Sequence, residues 1–141
     1  WYRGNGSISI IRDIDFTNEK YGKNNLIVYG NADANSLWKT LQDKSPIKVN
    51  SGAINFADEK LIQNKLGVMY IFPRMNSTST ITAFIGGTDL TGMKTIERMP
   101  IFVSGVAYPD YLIMTDDALK NGIPSVLKAG FFENDWTLKS K

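Results

Sequence analysis

Four short apolar runs constrain this chain more than any other feature. They are Leu26-Ile27-Val28-Tyr29 closed by Gly30, Gly67-Val68-Met69-Tyr70-Ile71-Phe72 ended by Pro73, Thr80-Ile81-Thr82-Ala83-Phe84-Ile85 closed by Gly86-Gly87, and Asp110-Tyr111-Leu112-Ile113-Met114. A run of five or six residues with little polar alternation suits a strand buried on both faces, as in a parallel sheet covered by helices. The intervening segments supply helices. Asp33 is placed to N-cap an amphipathic turn carrying Leu37, Trp38 and Leu41 to about Asp43, which Pro46 stops. Leu90, Met93 and Ile96 repeat at helical spacing before Pro100, and Asp116 to Gly122 reads as a single helical turn with a glycine stop.

Shorter strand signals fill the remainder. Ser7-Ile8-Ser9-Ile10-Ile11 alternates like a strand, residues 13–24 read as a connecting loop, and Val126 to Phe132 is a last strand-like run. Ile47-Lys48-Val49 and Ala53-Ile54-Asn55-Phe56 flank Asn50-Ser51-Gly52 as a small hairpin or two edge strands. Strands alternating with helices predict an α/β fold: a three-layer sandwich with a mostly parallel or mixed central sheet, Rossmann-like. With 141 residues and no linker or repeat, the expectation is one domain over residues 1–141.

Composition narrows the chemistry. The 43% apolar content is that of a globular chain, and a domain of roughly 150 residues buries about 70% of its unfolded surface. A formal charge of +2 with scattered lysines marks no phosphate-tracking stripe, so no nucleic-acid partner is expected. No apolar run approaches the roughly 20 residues that span a bilayer. The chain has neither histidine nor cysteine, which removes the usual zinc ligands and the usual general base. Ser104, in Phe102-Val103-Ser104-Gly105-Val106, lacks the first glycine of a nucleophile elbow. Catalysis by this chain alone is therefore not expected, and no catalytic residue is assigned.

Candidate binding residues gather at three strand-to-helix junctions: Gly30-Asn31-Ala32-Asp33-Ala34-Asn35, Gly86-Gly87-Thr88-Asp89 and Thr115-Asp116-Asp117. If their strands run the same way, all three share the carboxyl edge of the sheet, where open α/β sheets bind ligands. Gly30, Asn31, Asp33, Asn35, Gly86, Gly87, Thr88 and Asp89 are the ligand-binding candidates, for a sugar or peptide fragment. Neither glycine loop has a dinucleotide or P-loop fingerprint, so no cofactor is expected, and aspartates at helix starts occupy the position a phosphate would take. Capping is the competing role for the same residues. A third reading gathers Asp33, Asp89, Asp116 and Asp117 around magnesium in a metal-assisted enzyme. Aromatic residues near the two ends (Trp1, Tyr2, Phe131, Phe132, Trp136) form either one structural cluster or a patch that docks on a neighbouring domain.

Four stretches carry a family resemblance: Trp1-Tyr2-Arg3-Gly4-Asn5-Gly6, Tyr29 to Trp38, Phe102 to Asp110, and Ala129 to Trp136. Together they resemble the C-terminal region of large bacterial prolyl-oligopeptidase-like serine hydrolases, whose catalytic domain is an α/β-hydrolase. The resemblance implies an exported, periplasmic or extracellular, multi-domain protein whose catalytic triad lies upstream of Trp1. This chain would then be a non-catalytic accessory domain partnered by that upstream catalytic domain. The opening at Trp1, without an initiator methionine, points the same way.

Overall fold

The computed structural model describes residues 8–74, 79–100 and 103–138. A 3-10 turn at Asp13–Asp15 and helix α1 (Asn18–Tyr21) lead into strand β1 (Leu26–Gly30) and helix α2 (Ser36–Leu41). Three short strands follow, β2 (Ile47–Asn50), β3 (Ala53–Phe56) and β4 (Glu59–Ile62). Then come β5 (Leu66–Pro73), β6 (Ile81–Gly87), α3 (Leu90–Glu97), β7 (Tyr111–Thr115), α4 (Ala118–Asn121) and β8 (Val126–Gly130).

The eight strands form two sheets. One has five strands in the order β1-β6-β5-β7-β8, and the other is a three-stranded meander, β2-β3-β4. In the larger sheet only β1 and β6 pair in parallel; β5–β6, β5–β7 and β7–β8 are antiparallel. The expected three-layer Rossmann-like α/β sandwich is thus overturned: the fold is mostly β, with short helices. The physical reason lies in what an apolar run reports. It shows that both faces of a strand are covered, and says nothing about strand direction or what does the covering. Here the meander with α2 covers one face and α3 the other.

Alternation along the strands divides the core accordingly. Val68, Tyr70 and Phe72 of β5, Phe84 of β6 and Ile113 of β7 pack with Trp38 of α2 and with Ile47, Val49 and Ile54 of the meander. Met69, Ile85, Leu112 and Met114 point the other way, against Ile96 of α3. Tyr70 and Phe84 stack at 4.4 Å between ring centroids, and Trp38 meets Phe84 edge-on at 5.1 Å, geometries that aromatic quadrupoles favour. Helix α3 approaches the sheet closely because three glycines line the contact. A Cβ on Gly67 would lie 2.8 Å from the Gly92 carbonyl oxygen, and one on Gly92 would collide with the Leu66 carbonyl.

Other departures from the sequence reading have local causes. Residues 8–12 form no strand, and residue 7 lies outside the described residues. Residues 13–24, read as loop, contain the 3-10 turn and α1. They are organised by Arg74, whose Nη1 donates to the carbonyls of Tyr21, Gly22 and Asn24 at 2.9–3.0 Å and whose Nη2 donates to Asn18 Oδ1. Burial of this guanidinium lowers its pKa. Strand β1, expected to be buried on both faces, is an edge strand with Ile27 and Tyr29 exposed. Strand β4 has no counterpart in the sequence reading. Pro73 is tolerated in β5 because β7 pairs only with residues 66–70 of that strand. At the C-terminal end Phe132 and Trp136 join Phe72 and Tyr111 in a ring cluster. Phe131 stays exposed, and Trp1 and Tyr2 lie outside the described residues.

Candidate functional site

Strands β1, β6 and β7 all point the same way, because β6 and β7 are each antiparallel to the β5 that separates them. The junctions after Gly30, Gly87 and Thr115 therefore share one edge of the sheet. Two of them touch directly: the buried Asn31 donates from Nδ2 to the Gly87 carbonyl at 3.0 Å.

The chain itself takes up the polar side chains of this edge. Asn31 Oδ1 accepts the Asp33 and Ala34 N–H groups at 3.0 and 3.1 Å. Asn35, not Asp33, is the N-cap of α2; its Oδ1 accepts from the Leu37 and Trp38 N–H groups, and its Nδ2 donates to the Tyr29 carbonyl. Asp33 instead reaches the β2–β3 turn, accepting the Ser51 N–H at 2.7 Å and facing Asn50 Nδ2 at 3.5 Å. The Ser51 N–H, more than any other group, holds the Asp33 carboxyl below the usual carboxylate range. Asp89 caps α3 through the Gly92 N–H at 2.9 Å and accepts the Lys65 N–H at 3.0 Å. Thr88 Oγ1 accepts the Leu66 N–H at 3.1 Å. Gly30 and Gly86 lie opposite each other in register, and the Trp38 indole rests 2.9 Å from where a Gly86 Cβ would stand.

These tasks do not gather the four aspartates around one point. Asp116 pairs with Lys65 Nζ at 3.5 Å, and Asp117 makes no side-chain capping bond to α4. Among the described residues, no three His, Cys, Asp or Glu side chains are grouped to hold a metal ion. Ser104 sits in an exposed turn beside Gly105, which has φ +83°.

A second polar region was not singled out in the sequence. Across the outer face of the meander, Lys48, Asn55 and Lys60 lie side by side in register. With Ser45, Pro46, Ala57, Asp58 and Glu59 they line an open groove of about 460 Å³. Among the described residues no hydrogen bond or ion pair engages the side chains of Lys48, Asn55 or Lys60. Glu59 is paired with Lys128 of β8 at 2.6 Å, which ties the meander to the larger sheet. Ala57 has φ +50°, at the first position of the two-residue β3–β4 turn where glycine is preferred. Its N–H donates to the Pro46 carbonyl at 2.8 Å, closing one end of the groove. Behind Ser45, the buried Tyr70 hydroxyl has no hydrogen-bond partner among the described residues. Burial pushes its pKa far up. The sequence signal for this groove was the hairpin itself. Once Ser51-Gly52 is the turn, Lys48 must stand opposite Asn55 on the solvent face.

Comparison with known proteins yields one distant relationship. The chain is 27% identical over 94 residues to an uncharacterized secreted protein of Arthroderma benhamiae. The match covers 67% of this chain and spans only 10% of that relative's length. No protein family and no solved structure matches significantly. The resemblance to prolyl-oligopeptidase-like hydrolases is therefore withdrawn: the relationship found is to a secreted fungal protein, and nothing in it carries a hydrolase or a bacterial origin. No helix among the described residues is long and apolar enough to cross a membrane.

Proposed function

We propose that this chain is a non-catalytic accessory domain of a longer exported protein, and that it docks on another part of the same polypeptide. The observation that carries this reading is the half-covered face of the five-stranded sheet. Helix α3 packs over Met69, Ile85 and Met114. Beyond it, on the same face by strand alternation, Ile27, Tyr29 and Ile81 remain 36–48% exposed. Ile27 is paired with Ala83, and Ala83 with Ile71, so the apolar strip runs across three adjacent strands. A contiguous apolar strip on a sheet, unlike isolated surface leucines, is characteristic of a docking surface.

The occupant is argued from length. The distant relative is a secreted protein of which the matching stretch fills about a tenth. The rest of such a polypeptide is tethered close by, at an effective concentration that makes even a modest apolar surface sufficient. Export to the periplasm or extracellular space is part of the same proposal. The absence of histidine and cysteine supports the non-catalytic part, since both are the commonest carriers of acid–base and nucleophilic chemistry at neutral pH.

The test places a benzophenone amino acid at Tyr29 in the protein as its host secretes it. Irradiation should cross-link that position to residues of the same polypeptide outside this domain. Cross-links confined to a second copy of the domain, to unrelated proteins or to none overturn the docking. Turnover of any peptide or ester by the pure chain, abolished by changing one of its own residues, overturns the non-catalytic reading.

A further inference from the structure

The groove on the meander has a composition that the accessory reading leaves unused. We propose that Lys48, Asn55 and Lys60 form a binding site for a small oxyanion ligand, a carboxylate or phosphate carried on a polar body. Three observations converge on it. The first is register: Lys48, Asn55 and Lys60 occupy one cross-strand row on one face. With strands about 4.8 Å apart, the two lysine Cα atoms stand about 10 Å from each other, with an amide between them. Two ammonium groups on flexible stems can close over an oxyanion in that gap, and an amide N–H₂ beneath can donate to it.

The second is charge. Two carboxylates line the groove, but Glu59 is paired with Lys128 at 2.6 Å, leaving Asp58 against two lysines. The third is the contrast with the sheet edge. There the side chains of Asn31, Asp33, Asn35, Thr88 and Asp89 are bonded within the chain, whereas among the described residues the donors of Lys48, Asn55 and Lys60 engage none of its groups. A volume of about 460 Å³ lies in the range of small-molecule sites. The Pro46–Ala57 backbone bond and the left-handed Ala57 keep the β3–β4 turn at the groove's end. Residues held in such a conformation are enriched at ligand clamps.

The experiment titrates the full chain by calorimetry with sodium glucuronate, with inorganic phosphate and with glucose at low salt. Saturable binding of glucuronate or phosphate, and not of glucose, is expected, and which anion binds tells a carboxylate source from a phosphate one. The double variant Lys48→Gln with Lys60→Gln should weaken binding by about tenfold or more, at an unchanged melting temperature. Lys48→Arg, which keeps the charge, should retain it. Raising the salt should weaken it further. Equal binding of glucose, no saturation by either anion, or unchanged affinity in the double glutamine variant overturns the site. Should the glutamine variant fail to fold, Asn55→Leu takes its place, with the same loss expected and retained affinity counting against the site. None of these outcomes bears on the docking face, which lies on the other sheet.

Discussion

The sheet edge and the meander groove are both rich in polar residues, yet they use them in opposite ways. At the edge, Asn31, Asn35, Asp33, Thr88 and Asp89 use their side chains to satisfy backbone groups that the strand ends and turns leave open. In the groove, Lys48 and Lys60 stand on a regular ladder whose backbone is already paired, so their side chains have no structural work. Irregular backbone consumes polar side chains and regular backbone frees them. Where both occur in one small molecule, the polar-rich loops are the stabilising element, and the plainer strands carry the available donors.

The largest expected effect tests the edge. Asn31→Ala removes one buried bond to the Gly87 carbonyl and two from the Asp33 and Ala34 N–H groups. Leaving a buried carbonyl unpaired while opening the turn should cost about 2–3 kcal/mol. Urea denaturation reads this as a fall in midpoint with little change in slope. A loss within about 0.5 kcal/mol, the scale of ordinary surface changes, would erase the distinction between the two regions.

The groove predicts a smaller change of opposite sign. Ala57 adopts φ +50°, a conformation costing a residue with a Cβ about 1–2 kcal/mol. Ala57→Gly relieves this but loosens the unfolded chain, which takes back about 0.5–1 kcal/mol. The net expectation is a stabilisation of between zero and about 1.5 kcal/mol in thermal unfolding. A destabilised variant would mean that the turn is held by contacts of the Ala57 methyl and that the groove is no freer of structural duty than the edge.

How far these features can be read from the sequence follows the same division. The first hairpin was legible because Asn50-Ser51-Gly52 announces its turn; β4 was not, since Ala57-Asp58 is a turn whose positive φ falls on alanine. The shared edge of the three junctions was legible, since β1, β6 and β7 do run one way. The larger sheet was not: β5 enters between β6 and β7 as an antiparallel neighbour, and an apolar run has the same composition in either direction. Asp33 was placed as a cap because it precedes Leu37 and Trp38. Asn35, two residues later, takes that role and frees Asp33 to cross to Ser51, a contact set by tertiary placement alone. Arg74 was hidden for a similar reason. Its partners are mostly backbone carbonyls roughly fifty residues away, and no side-chain pattern encodes those.

The smallest expected effect concerns the clasp that joins the edge to the meander. The Asp33 carboxylate accepts the Ser51 N–H, which holds its folded pKa below the unfolded value. The stability this contributes is fully present above the unfolded value, near pH 4, and is lost as pH falls through the folded one. The side chain is exposed, so solvent screening keeps the effect small. Asp33→Asn keeps an acceptor for Ser51 but does not titrate. Wild type should therefore melt slightly above the variant at neutral pH, and the two curves should converge on acidification below about pH 4. A difference that persists unchanged into acid would assign the effect to shape instead of charge, making the clasp a matter of turn geometry like the rest of the edge.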